Sequence, residues 1–273
     1  MRAPTPIPTR EPLRPPNSEP EVCEVAPTRP LRWLAAGWRD LRAMPGPSLA
    51  HGLVVALGGW AIVAVAREAW LLLPGAISGF LLVGPILATG LYELSRRHAA
   101  GRPAGFAQVV AAWRPAAVPL VGFGLAMFAA ATAWVLFTAQ LLRAFVPGEV
   151  RSGIDLLRYA VADQGTTLFW MWVLAGGLGA ALVFALSWVS VPLMLDREIT
   201  LRRALRCSVR AAGRNPVAAA GWAALIMLLS AASIATAMLG FVVVVPLVGH
   251  ATWHAYRDVV DVDGCEPRTR RAR

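Results

Sequence analysis

Lysine is absent from the 273-residue chain, and its 26 basic residues other than the four histidines are all arginine. A glycine-rich phosphate loop ending in lysine is thereby excluded. Cysteine is nearly as scarce. Cys23, Cys207 and Cys265 match no zinc-module spacing and read as reduced free thiols on cytoplasmic segments. Only 15% of the residues are charged, and none falls inside the long apolar runs. The obvious relay of a proton-coupled transporter is therefore missing. Nucleophile and base candidates are few, so no enzyme, catalytic residue or cofactor is expected. The N-terminal stretch lacks the continuous apolar core of a cleaved signal peptide, so the first apolar span is expected to serve as an uncleaved signal anchor.

What the chain has in abundance is apolar sequence. Hydrophobic residues make up 57%, and the mean hydropathy is +0.56. That composition suits a bilayer better than water. Apolar segments run from Leu49 to Ala66, Trp70 to Leu91, Ala116 to Leu142, Leu168 to Leu195, Val217 to Thr236 and Met238 to Trp253. The arginines fall on alternate sides of them: seven before the first, four between the second and third, six between the fourth and fifth, five after the last. Only four lie in the other connections. Because arginine is retained on the cytoplasmic face, this split predicts six transmembrane helices in the bacterial inner membrane with both termini cytoplasmic. The turn between the fifth and sixth helices, near Ala235 to Gly240, is the shortest connection. Merging those helices would put the basic C-terminus outside. The net charge of +10 is dispersed over the loops, which excludes a nucleic-acid-binding domain.

Three units recur, each an amphipathic segment followed by a helical hairpin. Their signatures are Ala35-Ala36-Gly37-Trp38-Arg39 before Pro45, Ala111-Ala112-Trp113-Arg114-Pro115, and Ala211-Ala212-Gly213-Arg214-Asn215-Pro216. The second helix of each hairpin carries a proline, Pro85, Pro192 or Pro246, expected to kink it and open a cleft on the cytoplasmic side. The fold class that follows is all-α: a polytopic bundle of six transmembrane helices, arranged as three hairpins with cytoplasmic amphipathic linkers. Residues 1–30, rich in proline, are expected to be a disordered cytoplasmic tail, residues 31–260 the membrane domain, and residues 261–273 a basic tail.

Trp38-Arg39-Asp40-Leu41, Gly84 to Glu93 with Ser95-Arg96-Arg97, Arg214-Asn215-Pro216, and Gly249 to Asp258 resemble the signature stretches of a proteobacterial family of uncharacterised integral membrane proteins. It is the domain of unknown function numbered twenty-one eighty-nine, and the resemblance covers roughly Leu31 to Val260. It implies a polytopic inner-membrane protein and no activity. A looser resemblance, through the Gly-Pro and the hairpin repeat, is to the membrane domains of some glycerophosphodiester phosphodiesterases; the chain has no soluble catalytic domain to go with it.

Two groups of residues stand out as candidate sites. Arg202, Arg206, Arg210 and Arg214 repeat every fourth position beside Leu201, Leu205 and Val209, the pattern of an interfacial helix whose basic stripe faces anionic lipid. Leu31, Leu34, Trp38 and Leu41 predict a second such helix, and Phe106, Val109, Val110 and Trp113 a third. His250 and His254, one turn apart, head a polar cluster with Tyr256, Arg257 and Asp258. The pair lacks a fixed third ligand, so no metal is expected, and the segment reads as a helix end anchored among headgroups by Trp253, Tyr256 and Arg257. Gly75 and Gly79, with Gly122, Ala126, Ala130, Gly176 and Ala180, offer close helix packing, either within the bundle or toward a homo-oligomer or membrane-protein partner. The expected role is a non-enzymatic structural or regulatory membrane component contacting anionic lipid. The alternative is a transporter or channel for a small molecule or lipid.

Overall fold

Proline opens the apolar helices, as its missing N–H permits in a first turn. The computed structural model describes residues 19–65, 70–107, 118–146, 155, 158, 159 and 166–262. Expectations for residues 1–18, Arg67 and Glu68, the linker 108–117, most of the loop 143–167, and Cys265 with its basic tail lie outside them. Helix α1 (Arg29–Ala43) has Pro30 in its first turn, α2 (Pro45–Val65) starts at Pro45, and α10 (Pro216–Ala235) starts at Pro216. Between them lie α3 (Leu73–Leu82), α4 (Gly84–Leu87), α5 (Thr89–Ala99), α6 (Val118–Phe145), α7 (Thr166–Ser187), α8 (Ser190–Asp196) and α9 (Leu201–Arg214). Helix α11 (Phe241–Val259) follows α10. The chain is nearly all-α. Among the described residues, four helical stretches are long and apolar enough to cross a membrane: Pro45–Val65, Val118–Phe145, Thr167–Asp196 (α7 and α8 together) and Pro216–Ala235.

A small ladder closes the two ends. Strand β1 (Glu21–Val22) pairs antiparallel with β2 (Val260–Asp261), Val22 opposite Val260. The tail expected to stay disordered through Pro30 thus carries structure from Glu21 onward, because backbone groups freed at the end of α11 find partners there. Cys23 N–H, for instance, donates to the Val259 carbonyl at 2.8 Å.

Helix α1 packs on the protein by its small-residue face, and two of the residues expected along the leaflet stay outside that contact. Trp33, Ala36, Gly37, Asp40 and Leu41 point inward, while Leu31 and Trp38 are exposed. The small residues decide the rotation. A β-carbon at Gly37 would lie 2.6 Å from the Ala251 nitrogen and 2.7 Å from the Leu247 carbonyl, so α1 and α11 meet backbone to backbone there.

The three prolines act differently from one another. Around Pro85 the second apolar segment is broken into α3, α4 and α5, and His51 Nε2 donates to the Leu87 carbonyl at 2.6 Å. Near Pro192 the helix is interrupted between α7 and α8, and the Val189 N–H donates to Ser208 Oγ at 3.1 Å. Pro246 sits within α11 and leaves the Val242 carbonyl without its helical donor. Gly52 of α2 lies directly against that residue's backbone, where a side chain has no room. Residues beside the breaks, Leu91, Tyr92, Val191, Leu193 and Met194, form the main core with Trp33, Trp188, Trp222, Trp253 and Tyr256. Apolar chain released from helical geometry is filled by its neighbours, since interiors pack to crystal-like density.

The connection between α10 and α11 turns where the sequence placed it, over residues 236–240. Ala237 and Met238 take left-handed backbone angles, φ 50° and 67°. Trp60 Nε1 donates to the Ala237 carbonyl at 2.7 Å, and Met238 is buried with Ala56 and Phe241. Gly75 and Gly79 pack on Val135 and Ala131 of α6, and Gly176 packs on Trp134. On α6 Phe123, Met127 and Ala131 are buried, while Gly122 and Ala130 are half-buried and Ala126 is exposed. Only 11% of the apolar window in α6 is buried, an exposure of hydrocarbon that suits lipid rather than water.

Candidate functional site

Four helices bring polar side chains to one junction beside α11. Asp40 comes from α1, Ser48 from the first turn of α2, Ser95 from α5, and His250 with His254 from α11. Ser48 and His250 are fully buried, and Asp40 and Ser95 nearly so. Ser95 gives its one hydroxyl proton to Asp40 Oδ2 at 2.6 Å, so its oxygen accepts from His250 Nδ1 at 2.7 Å. That assigns the tautomer from the network. A neutral His250 ring then accepts at Nε2 from Ser48 Oγ, 2.9 Å away. His254 Nε2 donates to the same Asp40 oxygen at 2.9 Å. The result is one directional chain, Ser48 to His250 to Ser95 to Asp40, with His254 closing it.

Burial pushes the Asp40 carboxyl up, but the hydrogen bonds from His254 and Ser95 and the nearby imidazoles outweigh it and hold the group below its ordinary value. Glu93 follows the same balance. Burial raises it, yet Arg96 and Arg97, at 2.8 and 2.7 Å, leave it lowered.

The residues expected as one cluster on α11 separate onto different neighbours. Tyr256 projects about 200° from His254, and the helix rises roughly 12 Å from His250 to Asp258, so the five positions meet different partners. His250 and His254 face Asp40 and the serines. Tyr256 donates to Asp196 Oδ2 at 2.8 Å, where Arg197 and Arg257 also converge, at 3.2 and 3.5 Å. Asp258 accepts from Trp33 Nε1 at 2.9 Å and pairs with Arg29 at 3.2 Å. Trp253 and Tyr256 are buried, so they pack the protein core and do not anchor a helix end among headgroups. Among the described residues no group of three or more His, Cys, Asp or Glu can hold a metal ion.

The arginine stripe lies on α9 as expected, with Ala204, Cys207, Ser208 and Ala211 buried on the opposite face. Arg202 is exposed. Arg206 and Arg210 reach Glu19, at 3.8 and 3.1 Å, and Arg214 reaches Glu24 at 3.8 Å. The stripe therefore meets the segment before α1, a contact that arginine periodicity alone does not reveal. The sequence reading also overlooked Ser48 and gave Asp40 and Ser95 no role. Their signal was present on α1, where Asp40 follows Trp33, Ala36 and Gly37 at helical spacing on the small-residue face.

Residues 72–196 match the family model described as predicted integral membrane protein, DUF2189. This is the family that the sequence stretches resemble, and the chain is an integral membrane protein with several apolar helices. The match covers α3 to α8, with Gly84 to Glu93 and Ser95-Arg96-Arg97 inside it. It is shorter than the span from Leu31 to Val260. Of the junction residues only Ser95 falls within the DUF2189 match, and Asp40, Ser48, His250 and His254 lie outside. No curated protein and no solved structure matches the chain.

Proposed function

We propose that the chain is a six-span inner-membrane protein with cytoplasmic termini, acting as a non-enzymatic structural component whose cytoplasmic layer contacts anionic lipid. The observation that carries this reading is the two-sided character of α9. Its small residues are sealed against the spanning helices, while Arg202, Arg206 and Arg210 face outward beside exposed Val209. A basic residue near an anionic surface contributes about 1 kcal/mol. Three together shift lipid preference measurably, whereas one alone does little. The buried junction supports a structural role as well, since its donors and acceptors satisfy one another and Ser48 and His250 have no exposure to a substrate. Two further spans are supplied by α3 to α5, bent at Pro85, and by α11, bent at Pro246. The arginine distribution then puts α1 and α9 on the cytoplasmic side.

Lipid preference tests the contact. Protein in mixed-lipid nanodiscs is expected to enrich phosphatidylglycerol over phosphatidylcholine in its retained lipid. The triple variant Arg202→Gln, Arg206→Gln, Arg210→Gln is expected to lose most of that preference and its salt sensitivity. Unchanged enrichment in a correctly inserted triple variant would reduce the stripe to a topology signal.

Topology is tested separately. Cys207 is fully buried and unsuited to labelling, but Arg202 is exposed. Arg202→Cys is expected to resist an impermeant thiol reagent applied to intact cells and to react in inverted membrane vesicles. Reaction in intact cells would overturn the six-span orientation.

A further inference from the structure

The segment before α1 is an acidic strip laid across the basic end of α9. Glu19 approaches Arg210 at 3.1 Å and Arg206 at 3.8 Å, and Glu24 approaches Arg214 at 3.8 Å. Arg210 and Arg214 also donate to the carbonyls of Pro20 and Val22, at 3.5 and 3.3 Å. Three guanidiniums of the stripe thus already hold carboxylate and carbonyl oxygens, the same kind of acceptor that a phosphate presents.

The two ends of the strip are held by different forces. From Val22 to Val25 the backbone is fixed. The β1–β2 ladder, the bond from Cys23 N–H to Val259, and the buried Asn215 side chain secure it; Asn215 donates to the Cys23 carbonyl at 3.0 Å and accepts from Val25 N–H at 2.8 Å. Around Glu19 and Pro20 the contacts are half-exposed ion pairs and one long hydrogen bond. Exposed pairs are weak and screened by salt, and backbone ladders are not. The groove between strip and helix, lined by Glu19, Pro20, Glu21, Val22, Arg210, Gly213 and Arg214, is open to solvent. An anion reaches the guanidiniums through it without unfolding the anchored end.

We infer that Arg206, Arg210 and Arg214 form a site for a phosphate-bearing anion, occupied in this state by Glu19 and Glu24, and that the anion displaces those carboxylates. This rests on the lipid-contact reading for the source of the phosphate, though not for the site itself. Guanidinium forks at successive turns of one helix suit a phosphate better than two separate carboxylates, because each fork donates to paired oxygens of one group. The strip then controls access. Pairing with the strip competes with the membrane surface for three arginines, and an anionic surface shifts that balance toward itself.

The test uses the full chain in nanodiscs, with two readouts. Phosphatidylglycerol retention is expected to rise several-fold in Glu19→Gln/Glu24→Gln and to fall again when Arg206→Gln, Arg210→Gln and Arg214→Gln are added. Hydrogen–deuterium exchange at Glu21, beside the freed Glu19, is expected to accelerate several-fold when phosphatidylglycerol replaces phosphatidylcholine, while the anchored amides of Cys23 and Val25 stay unchanged. Acceleration by inorganic phosphate in phosphatidylcholine discs would identify free phosphate as an occupant; acceleration by phosphatidylglycerol alone would identify the headgroup. Exchange that responds to neither, with retention unaltered in the glutamate variant, overturns the inference. If the Arg202, Arg206, Arg210 triple variant still loses lipid preference, the lipid-contact reading survives that failure. If instead that triple variant keeps its preference while inorganic phosphate accelerates exchange, the lipid reading falls and the anion site stands.

Discussion

Gly37→Ala is expected to lower the apparent thermal midpoint of the purified protein by about 2–12 °C, since overpacking costs roughly 1–3 kcal/mol and each kcal/mol moves a chain of this size by about 2–4 °C. The neighbours leave nothing to give. A new β-carbon would meet the Ala251 nitrogen at 2.6 Å, the Leu247 carbonyl at 2.7 Å and the Ala251 β-carbon at 2.8 Å, all fixed by the α11 backbone. Relief requires α1 to move away from α11. That movement strains the bonds from Trp33 and Arg29 to Asp258 and from His254 to Asp40, which span the same interface. Gly177→Ala is the control, because a β-carbon there meets nothing within 4 Å. It is expected to be neutral or slightly stabilising, by up to about 1 kcal/mol, as alanine is the better helix former. Equal midpoints for the two variants would mean that α1 does not depend on close backbone approach.

The contrast between those glycines shows where sequence reading works and where it stops. Hydropathy, proline and arginine act locally, so the apolar segments, the break at Pro85 and the turn over residues 236–240 were legible. What packs around the breaks at Pro85, Pro192 and Pro246 was not legible, because it is set by neighbours distant in sequence. The inward face of α1 was not legible for a related reason. Leu31 and Trp38 are the more apolar residues, yet close approach to α11 selects Gly37, and Asp40 is carried inward with it. Asp40 acquires meaning only beside His254, 214 positions away, and Ser48 only beside His250, 202 positions away. The same holds for the arginine stripe. Its spacing located the helix and its exposed face, while the glutamates that occupy it belong to a segment that composition marked as disordered.

Asp40→Ala is expected to destabilise the protein by about 3 kcal/mol, because a hydrogen bond to a buried charge contributes roughly 1.5–3 kcal/mol and the carboxylate accepts two. Ser95 and His254 would lose their acceptor together, and the Ser48–His250–Ser95 chain would lose the group that sets its direction. A double-mutant cycle with Ser95→Ala isolates the coupling, expected at about 1–2 kcal/mol for a directly bonded buried pair. Acid dependence supplies a second signature. The Asp40 carboxyl is held below its ordinary value in the folded protein, so the stability it contributes is fully present above the usual carboxylate range, near pH 4. It is lost as the pH falls through the lowered value. Glu93, lowered by Arg96 and Arg97, adds to the same acid loss. Asp40→Asn is therefore expected to be less stable than the parent at neutral pH and to lose less of its remaining stability on acidification, and Asp40→Asn/Glu93→Gln to lose less again. If Asp40→Asn and the parent fell in parallel from pH 7 to pH 3, with no coupling to Ser95, the junction would be a set of independent contacts, and the single chain linking α1, α2, α5 and α11 would not exist.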